Sequence, residues 1–174
     1  MKKFRLAAGV VSALFFAANS AFAYDVLLKF EGKVVPTTCQ VDGLNEVAMN
    51  PVSTEALKEP GSYAGEKVIL INVSGCDGTK LKGMLSPDFS QVHHITGALK
   101  NSVPGGSTAM IQLLDYQSNP IDLMKMSITK PAFEPVSVNE TAAQFVLAAR
   151  YLAGDVPVTA GDVKAELTFD LVYE

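Results

Sequence analysis

The chain has few of the residues from which metal and sugar sites are built. Its 174 residues include no tryptophan, two cysteines and two histidines, and only 8% of them are aromatic. The cysteines and the adjacent pair His93-His94 do not have the spacing of metal ligands, so we expect no metal and place these histidines in an exposed loop. So few aromatics leave little from which to build a platform that stacks on sugars.

Basic residues and long apolar runs are also scarce. The chain has 14 Lys and Arg against 18 Asp and Glu, for a net charge of −4. No basic patch interleaves with aromatic residues, which argues against a nucleic-acid surface. After residue 23, no segment approaches the roughly 18 uninterrupted apolar residues of a membrane-spanning helix. We therefore expect no nucleic-acid partner and no internal membrane span.

The motifs of common active sites are missing as well. No serine lies in a Gly-x-Ser-x-Gly elbow. Gly105-Gly106, between Pro104 and Ser107, is typical of a turn rather than of a phosphate-binding loop. Carboxylates are plentiful, but most alternate with apolar residues along strands, where solubility explains them. We expect no enzyme, no cofactor and no small-molecule substrate.

The N-terminal residues have the pattern of an export signal. Three basic residues precede an apolar core over 6–18, and Ala21-Phe22-Ala23 is a small-x-small cleavage site. The core is too short to span a bilayer, which argues against the alternative of a retained membrane anchor. The mature chain then begins at Tyr24 and has 151 residues, the size of one domain, because 23 of the 174 are removed. It keeps 11 basic and 18 acidic residues, so its net charge is −7.

The C-terminal residues alternate between apolar and polar side chains. One face collects Val163, Ala165, Leu167, Phe169, Leu171 and Tyr173, and the other collects Asp162, Lys164, Glu166, Thr168, Asp170 and Glu174. Only Val172 breaks the pattern. A period of two over this length predicts a β-strand with one buried face. The partner along its free edge must come from an earlier segment or from another molecule.

The first residues of the mature chain alternate in the same way. The apolar face carries Val26, Leu28, Phe30, Gly32 and Val34, and the polar face carries Asp25, Lys29, Glu31 and Lys33, with Leu27 as the exception. At about 3.3 Å per residue, this segment reaches roughly 33 Å, enough to cross a sandwich domain. Both ends of the mature chain are thus predicted to be half-buried strands.

The residues between the two ends are predicted to be all-β. Candidate strands cover residues 38–41, 67–73, 81–85, 109–116, 145–152 and 163–173, with a short helical turn at 54–58. Turns rich in proline and glycine separate them. The strands are too widely spaced for a tight meander, so several connections must cross between sheets. The pattern indicates a two-sheet, immunoglobulin-like sandwich.

The two cysteines fit an exported protein. Cys39 and Cys76 are the only pair in the chain, so a bridge, if formed, joins them. The alternative, two free thiols, does not suit an oxidising compartment. Closing a loop of about 38 residues would stabilise the fold by roughly 3–4 kcal/mol.

Several short motifs along the mature chain occur in a characteristic order. They are Glu31-Gly32-Lys33-Val34-Val35 before Cys39, the second cysteine Cys76, Ile111-Gln112-Leu113-Leu114-Asp115, Ala149-Arg150-Tyr151, and Thr159-Ala160-Gly161-Asp162-Val163 leading into Phe169-Asp170-Leu171-Val172-Tyr173-Glu174. The whole mature chain thereby resembles the pilus subunits of the chaperone–usher pathway, of the type 1 fimbrial kind. That family's terminal signature is a glycine fourteenth from the end and a penultimate aromatic, which Gly161 and Tyr173 provide.

The resemblance implies an incomplete immunoglobulin-like sandwich that lacks its last strand and is completed by a donor strand from another subunit. A periplasmic chaperone would fill the groove beside the C-terminal strand during export, and the N-terminal extension of the next subunit would fill it in the fibre. The chain would comprise a signal peptide (1–23), a donor-strand extension (24–35) and a pilin domain (36–174). An outer-membrane usher and neighbouring subunits would be further partners, and the protein would pass through the periplasm to the cell surface.

The resemblance also assigns roles to residues. The donor positions are Val26, Leu28, Phe30, Gly32 and Val34. The groove edge and the strand recognised by the chaperone comprise Gly161, Val163, Leu167, Phe169, Leu171, Tyr173 and Glu174, whose terminal carboxylate would enter a basic cleft of the chaperone. The chemistry of the edge agrees, because a bare apolar strand invites aggregation and strand addition would cover it. Four apolar donor side chains, at about 1.5–3 kcal/mol each, offer roughly 6–12 kcal/mol.

Alternatives remain at this stage. Residues 26–34 could pair within their own sandwich as an ordinary first strand. The chain could also be a self-contained exported immunoglobulin-like domain that binds a carbohydrate or protein, or a small exported enzyme. Under the pilus hypothesis, 151 residues leave no room for the extra receptor-binding domain of a tip adhesin, and the donor segment argues against a terminal subunit. Main-shaft and minor adaptor subunits both stay open.

Overall fold

The computed structural model describes residues 39–42, 46–75, 80–126, 132–138 and 141–173. All of them belong to one compact unit, Pro36–Glu174. The predicted signal peptide and the donor positions from Val26 to Val34 lie outside the described residues, as do Cys76 and Glu174. The fold described below is therefore that of the predicted pilin domain.

The described residues form strands and short 3₁₀ turns. The strands are β1 (Gln40–Asp42), β2 (Tyr63–Ser74), β3 (Leu81–Ser86), β4 (Met110–Leu114), β5 (Ser137–Val138), β6 (Ala142–Leu152) and β7 (Thr168–Tyr173). The 3₁₀ turns are Thr54–Leu57, where the sequence predicts a short helical turn, and Phe89–Gln91, which it does not predict. None of the helices among the described residues is long and apolar enough to cross a membrane. The prediction of an all-β chain is confirmed.

The strands form two antiparallel sheets. The larger has the order β1-β2-β6-β4, with the short β5 also paired to β6, and the smaller consists of β3 and β7. Consecutive strands β2 and β3 lie in different sheets, as do β6 and β7. The predicted crossings between sheets are thus present, and the two sheets enclose the core of an immunoglobulin-like sandwich.

Alternation along the strands places the core between the sheets. In β2, Ile71 and Val73 are buried, whereas Val68 and Leu70 point outward and are exposed. The register pairs Ile71 with Phe145 of β6, which is 2% exposed. Paired residues of an antiparallel sheet point to the same face, so each such pair adds to a single buried layer.

The smaller sheet packs against this layer through an aromatic contact. Phe145 of β6 meets Phe169 of β7 edge to face, with ring centroids 5.1 Å apart and an interplanar angle of 64°. Gly83 of β3 leaves the space for the Phe169 ring, because a β-carbon at Gly83 would collide with it. Leu81 and Leu85 are buried on either side of Gly83. The Phe169 ring thus occupies the space that a side chain at Gly83 would take, and from there it packs on Phe145 of the larger sheet.

Several strand boundaries differ from the prediction, and two strands begin four or more residues away from it. Strand β2 begins at Tyr63 rather than at residue 67, with an irregularity in its register between Ala64 and Lys67. The C-terminal strand begins at Thr168, so the prediction that it begins at residue 163 is wrong for the chain on its own. The physical reason is the lack of a strand partner: residues 163–167 have no ladder with any described strand.

The predicted disulfide concerns the start of β1. Cys39 is disulfide-bonded, which agrees with the predicted bridge, and Cys76 lies outside the described residues. Cys39 packs half-buried against the core. A disulfide at Cys39 restrains the beginning of the described fold where it packs on the core.

Candidate functional site

The C-terminal strand β7 has one paired edge and one open edge. Its paired edge runs antiparallel to β3, from Leu81 opposite Tyr173 to Ser86 opposite Thr168. Along its other edge, no strand among the described residues pairs with it. An unpaired edge presents a row of N–H and C=O groups that a further strand could use.

The residues before β7 extend this open edge. The backbone N–H of Lys164 donates to Asn101 Oδ1 at 2.8 Å, and the Lys164 carbonyl accepts from the N–H of Ser102 at 2.8 Å. In an extended chain, the backbone groups of the flanking residues point the opposite way. Those of Val163 and Ala165 therefore face away from the loop at 101–107, and no hydrogen bond among the described residues involves them.

The side chains along this edge form an apolar floor. Exposure alternates with a period of two from half-buried Val163 to half-buried Phe169, as predicted. Beyond Phe169 the alternation ends, because residues 170–172 are all half-buried and Tyr173 is exposed. The inward residues pack on the core but remain half-buried: Val163, Ala165, Leu167, Phe169 and Leu171. Ile69 of β2 and Tyr151 of β6 contribute further half-buried apolar surface to the same core. The apolar floor and the open edge together form a part of the sandwich where a further strand would complete both the sheet and the core.

Asn101 fixes the start of the C-terminal segment. Its Nδ2 donates to the carbonyls of Ser107 and Asp162, both at 2.8 Å. Its Oδ1 accepts from the N–H groups of Val103, at 3.0 Å, and Lys164, at 2.8 Å. The amide therefore uses two donor and two acceptor positions, which joins the loop at 101–107 to residues 162–164.

The polar side of the segment is solvated. Lys164 and Glu166 form an ion pair at 3.4 Å with side chains 68% and 79% exposed. Ser86 donates to Asp170 Oδ2 at 2.5 Å across the β3–β7 pair. Exposed ion pairs contribute little stability, so this side serves solubility while the apolar side lies against the core.

The structure brings the described groove-edge residues of the prediction into one line. Val163, Leu167, Phe169 and Leu171 share the inward face, with Gly161 at the start of the segment and Tyr173, 36% exposed, at its end. Sequence reasoning did not include Ala165 among the site residues or identify Asn101. The alternation contained Ala165, but Asn101 bonds to residues about sixty positions later and has no local signal.

A second depression in the domain has both polar and apolar residues in its lining. It has a volume of about 350 Å³ and is lined by His93, Lys100, Asn101, Ser107, Thr108, Met110, Gly154, Asp155 and Val156. Thr108 Oγ1 already donates to the Pro157 carbonyl, at 2.8 Å, and accepts from the N–H of Thr159, at 3.0 Å. No group of three or more His, Cys, Asp or Glu in the described part of the chain could hold a metal ion. The open edge is thus the stronger candidate site.

Comparisons with known proteins agree with this geometry. The family described as fimbrial protein matches residues 28–174. The chain is 26% identical to the F17 fimbrial protein of Escherichia coli over 183 residues, which cover 100% of both chains. It is 30% identical to a type-1 fimbrial protein subunit of Serratia marcescens, over 97% of this chain and 96% of that protein.

A solved structure gives the same fold. The crystal structure of PapA, the rod subunit of the P pilus, superposes with a TM-score of 0.60 at 14% identity, over 79% of this chain and 99% of that one. At that identity the likeness concerns the fold alone. The matches along the sequence, together with an immunoglobulin-like sandwich that is open beside its last strand, show that the chain belongs to the fimbrial protein family and is a structural subunit of a pilus.

Proposed function

We propose that the subunits join head to tail by strand donation, with residues 24–35 of one subunit inserted along the open edge of the next. The observation that carries this proposal is the edge formed by residues 163–173, which has no described strand partner and lies over a half-buried apolar floor. Adding a strand there would pair the backbone and cover the core in one step.

Donor and acceptor segments have matching patterns. The donor carries Val26, Leu28, Phe30, Gly32 and Val34 at every second position, and the acceptor carries Val163, Ala165, Leu167, Phe169 and Leu171 at every second position. Each set spans eight residue steps, roughly 26 Å of extended chain. An arm of this length covers the whole half-buried floor.

The energetic gain is large on the scale of one domain. Burying four apolar donor side chains contributes about 6–12 kcal/mol. A domain is stable by only about 5–15 kcal/mol, so the subunit without a donor is close to unfolding. Strand donation therefore stabilises the fold and joins the subunits at the same time.

The direction of donation determines the outcome. An arm that filled the groove of its own subunit would end growth. An arm that fills the groove of a neighbour makes a head-to-tail contact, and contacts of that kind propagate into an open filament. We assign residues 24–35 to donation between subunits, in place of the alternative in which they form a first strand of their own sandwich.

Transport requires that the edge be protected before assembly. The family resemblance supplies the partners: a periplasmic chaperone occupies the same edge and binds the terminal carboxylate of Glu174 in a basic cleft, and an outer-membrane usher receives the complex. A covered edge does not aggregate during passage through the periplasm to the cell surface. The chaperone thus holds the place that the donor arm later takes.

The test compares the mature chain, residues 24–174, with a chain lacking residues 24–35, each produced with and without a periplasmic pilus chaperone. We expect the mature chain to form polymers when the chaperone is removed. The shortened chain should bind the chaperone equally well and form no polymers. Size-exclusion chromatography and electron microscopy measure both properties.

A matched pair of substitutions tests whether polymerisation depends on the apolar face of the donor arm. Phe30→Asp puts a charge on the apolar face, whereas Leu27→Asp puts one on the polar face. The first should abolish polymerisation and the second should preserve it. A soluble, stable monomer with one cooperative unfolding transition, indifferent to deletion of the arm, contradicts the proposal.

A further inference from the structure

The backbone groups of the C-terminal segment point to the open edge at every second residue. The N–H and the carbonyl of Lys164 both bond to the loop at 101–107. In the smaller sheet, the N–H and the carbonyl of Gly83 both bond to Phe133, so Gly83 and its register partner Leu171 turn their backbone groups away from each other. The odd-numbered residues of this segment therefore direct their N–H and C=O groups to the open edge.

The even-numbered residues of the same segment carry its exposed charges. Asp162, Lys164 and Glu166 are all exposed, and their charges alternate in sign. Lys164 and Glu166 already form an ion pair at 3.4 Å. An antiparallel strand that bonds to the odd-numbered residues leaves the even-numbered ones at the non-hydrogen-bonded positions, where opposite Cα atoms are only about 4.5 Å apart. Side chains of an added strand would therefore approach these three charges closely.

The donor arm carries charges that alternate in the opposite order. Its polar face has Lys29, Glu31 and Lys33 at successive outward positions. The apolar residues of the arm and of the floor both recur at every second position, so matching them allows registers that differ by two residues. A second signal is needed to choose among these registers, and the outward charges can supply it.

We propose that the alternating charges set the register and the direction of the donor arm on the next subunit. The arm runs antiparallel to the C-terminal segment, and its outward pairs are Lys29 with Glu166, Glu31 with Lys164 and Lys33 with Asp162. Each of these charges then has an opposite charge across from it and neighbours of opposite sign along its own strand. The proposal rests on the proposed function, since it needs the arm of one subunit to lie on the edge of another.

The same register fits the inward side chains. Phe30, the only aromatic residue among the donor positions, lies opposite Ala165, the smallest side chain of the floor. Placing a large side chain opposite a small one favours close packing. Tyr24, the first residue of the predicted mature chain, reaches Leu171 at the far end of the floor. The arm in this register therefore covers the floor from end to end.

The neighbouring registers oppose like charges. A shift of two residues in one direction pairs Glu31 with Glu166 and Lys33 with Lys164. The shift in the other direction pairs Glu31 with Asp162 and also opposes two lysines. Like charges directly opposite each other are destabilising. A single exposed ion pair contributes little, but three attractive pairs compete here with two repulsive ones.

An arm in the parallel direction also has fewer favourable contacts. If it covers the whole floor, Asp25 lies beside Asp162 and Glu31 lies beside Thr168. Both acidic residues of the arm then lack a basic partner on the edge. The charges therefore favour the antiparallel direction.

Cysteine pairs measure the register in fibres of the full mature chain. Leu27→Cys with Thr168→Cys joins two uncharged positions that face each other in the proposed register, at a separation that allows a disulfide. Leu27→Cys with Asp170→Cys is the control, because it requires an arm shifted by two residues. We expect the link to position 168 to form at about ten times the yield of the link to position 170. Non-reducing electrophoresis of oxidised fibres measures both yields.

A charge swap tests the cause of this preference. Lys164→Glu combined with Glu166→Lys keeps the net charge and an ion pair between the two positions, but it opposes like charges to Lys29 and Glu31. The shift by two residues then becomes the favourable one, so the preferred link should move from position 168 to position 170. Adding Lys29→Glu and Glu31→Lys restores opposite charges and should restore the link to position 168. Loss of fibres in the first swap with recovery in the second also supports the proposal.

Salt provides a measurement without substitutions in the charged pairs. At about 1 M salt the Debye length is about 3 Å, so the ratio of the two link yields should fall toward one. Fibres with equal yields at low salt, or with a preference that the folded swap variant does not change, overturn the charge-set register and leave strand donation standing. Circular dichroism melting shows whether the variants are folded. A mature chain that forms no fibres overturns strand donation itself, and the register with it.

Discussion

Gly161 packs directly against the backbone of Gly106. A β-carbon on Gly161 would lie 2.9 Å from the carbonyl carbon of Gly106 and 2.8 Å from the N–H nitrogen of Ser107. The relationship is mutual, because a β-carbon on Gly106 would collide with the carbonyl oxygen of Asp162. Two chain segments thus approach at a distance that side chains do not permit. The glycine fourteenth from the end has a structural reason in this contact.

We expect Gly161→Ala to destabilise the domain by about 2–4 kcal/mol, since it combines backbone strain at φ +152° with a backbone collision. Gly105→Ala is the matched control: it has φ +71° but open space around its β-carbon, so only the strain applies, about 1 kcal/mol. Urea unfolding of donor-complemented chains, followed by circular dichroism, measures both. If both variants lose the same unfolding free energy, the backbone collision at Gly161 does not contribute.

Asn101 provides a second test at the same junction. Asn101→Ala removes four hydrogen bonds and should cost about 2–4 kcal/mol. Asn101→Asp keeps the two acceptor contacts but faces a carboxylate toward the carbonyls of Ser107 and Asp162. It should be at least as destabilising at pH 7, and it should recover in part below about pH 4, where the acid can donate a proton. A pH-independent loss in the Asp variant contradicts the assigned geometry.

The contact between Gly83 and Phe169 predicts a coupling between the two sheets. Gly83→Ala should destabilise the domain because its β-carbon collides with the Phe169 ring. Phe169→Ala should cost about 2–4 kcal/mol through lost packing on Phe145. In the double variant the collision is relieved, so the combined loss should be smaller than the sum by about 1 kcal/mol or more. A double-mutant cycle of urea unfolding energies measures this coupling, and strict additivity would falsify it.

The turn after β4 gives stability a dependence on pH. Partial burial raises the pKa of Asp115, but hydrogen bonds from the backbone and side chain of Asn119 and from the N–H of Gln117 outweigh it and hold the pKa below its usual value. The carboxylate therefore stabilises the fold above the unfolded pKa of about 3.9, and this contribution disappears as pH falls through the lower folded value. Asp115→Asn should be less stable at pH 7 and should lose less on acidification. Unfolding free energies at pH 7 and pH 3 provide the measurement.

The sequence predicted best which side chains of a single strand are buried, because that depends only on the alternation of apolar and polar residues. The alternation predicted which side chains lie inward, and the exposures follow it from Val163 to Phe169. They depart from it afterwards, since Asp170 and Val172 are half-buried and Tyr173 is exposed. The alternation could not predict that the hydrogen-bonded strand starts only at Thr168, since that depends on what lies beside residues 163–167. The pattern of side chains indicates which residues are buried, whereas backbone hydrogen bonding between strands also requires a neighbouring strand.

Long-range contacts were beyond local patterns for a related reason. Asn101 is an ordinary loop residue in sequence, and its role appears only when residues 162–164 lie beside it. Strand β2 is apolar on both faces, with Val68 and Leu70 outward and Ile71 and Val73 inward, so its sequence did not reveal which face was the core. The outward position of Val68 and Leu70 could therefore be recognised only after the sheets were placed.

Only the second half of the C-terminal segment is hydrogen-bonded to another strand, and this difference affects how accurately subunits assemble. Its last six residues, Thr168–Tyr173, are already aligned by β3, whereas the stretch before them is anchored chiefly at Lys164. An arriving donor arm would first pair with β7, whose backbone is already held in an extended conformation by β3. A shift of one residue in that pairing would turn all of the apolar side chains of the arm to solvent. A misaligned neighbour would thus be rejected at the first few pairings, before the joint had closed.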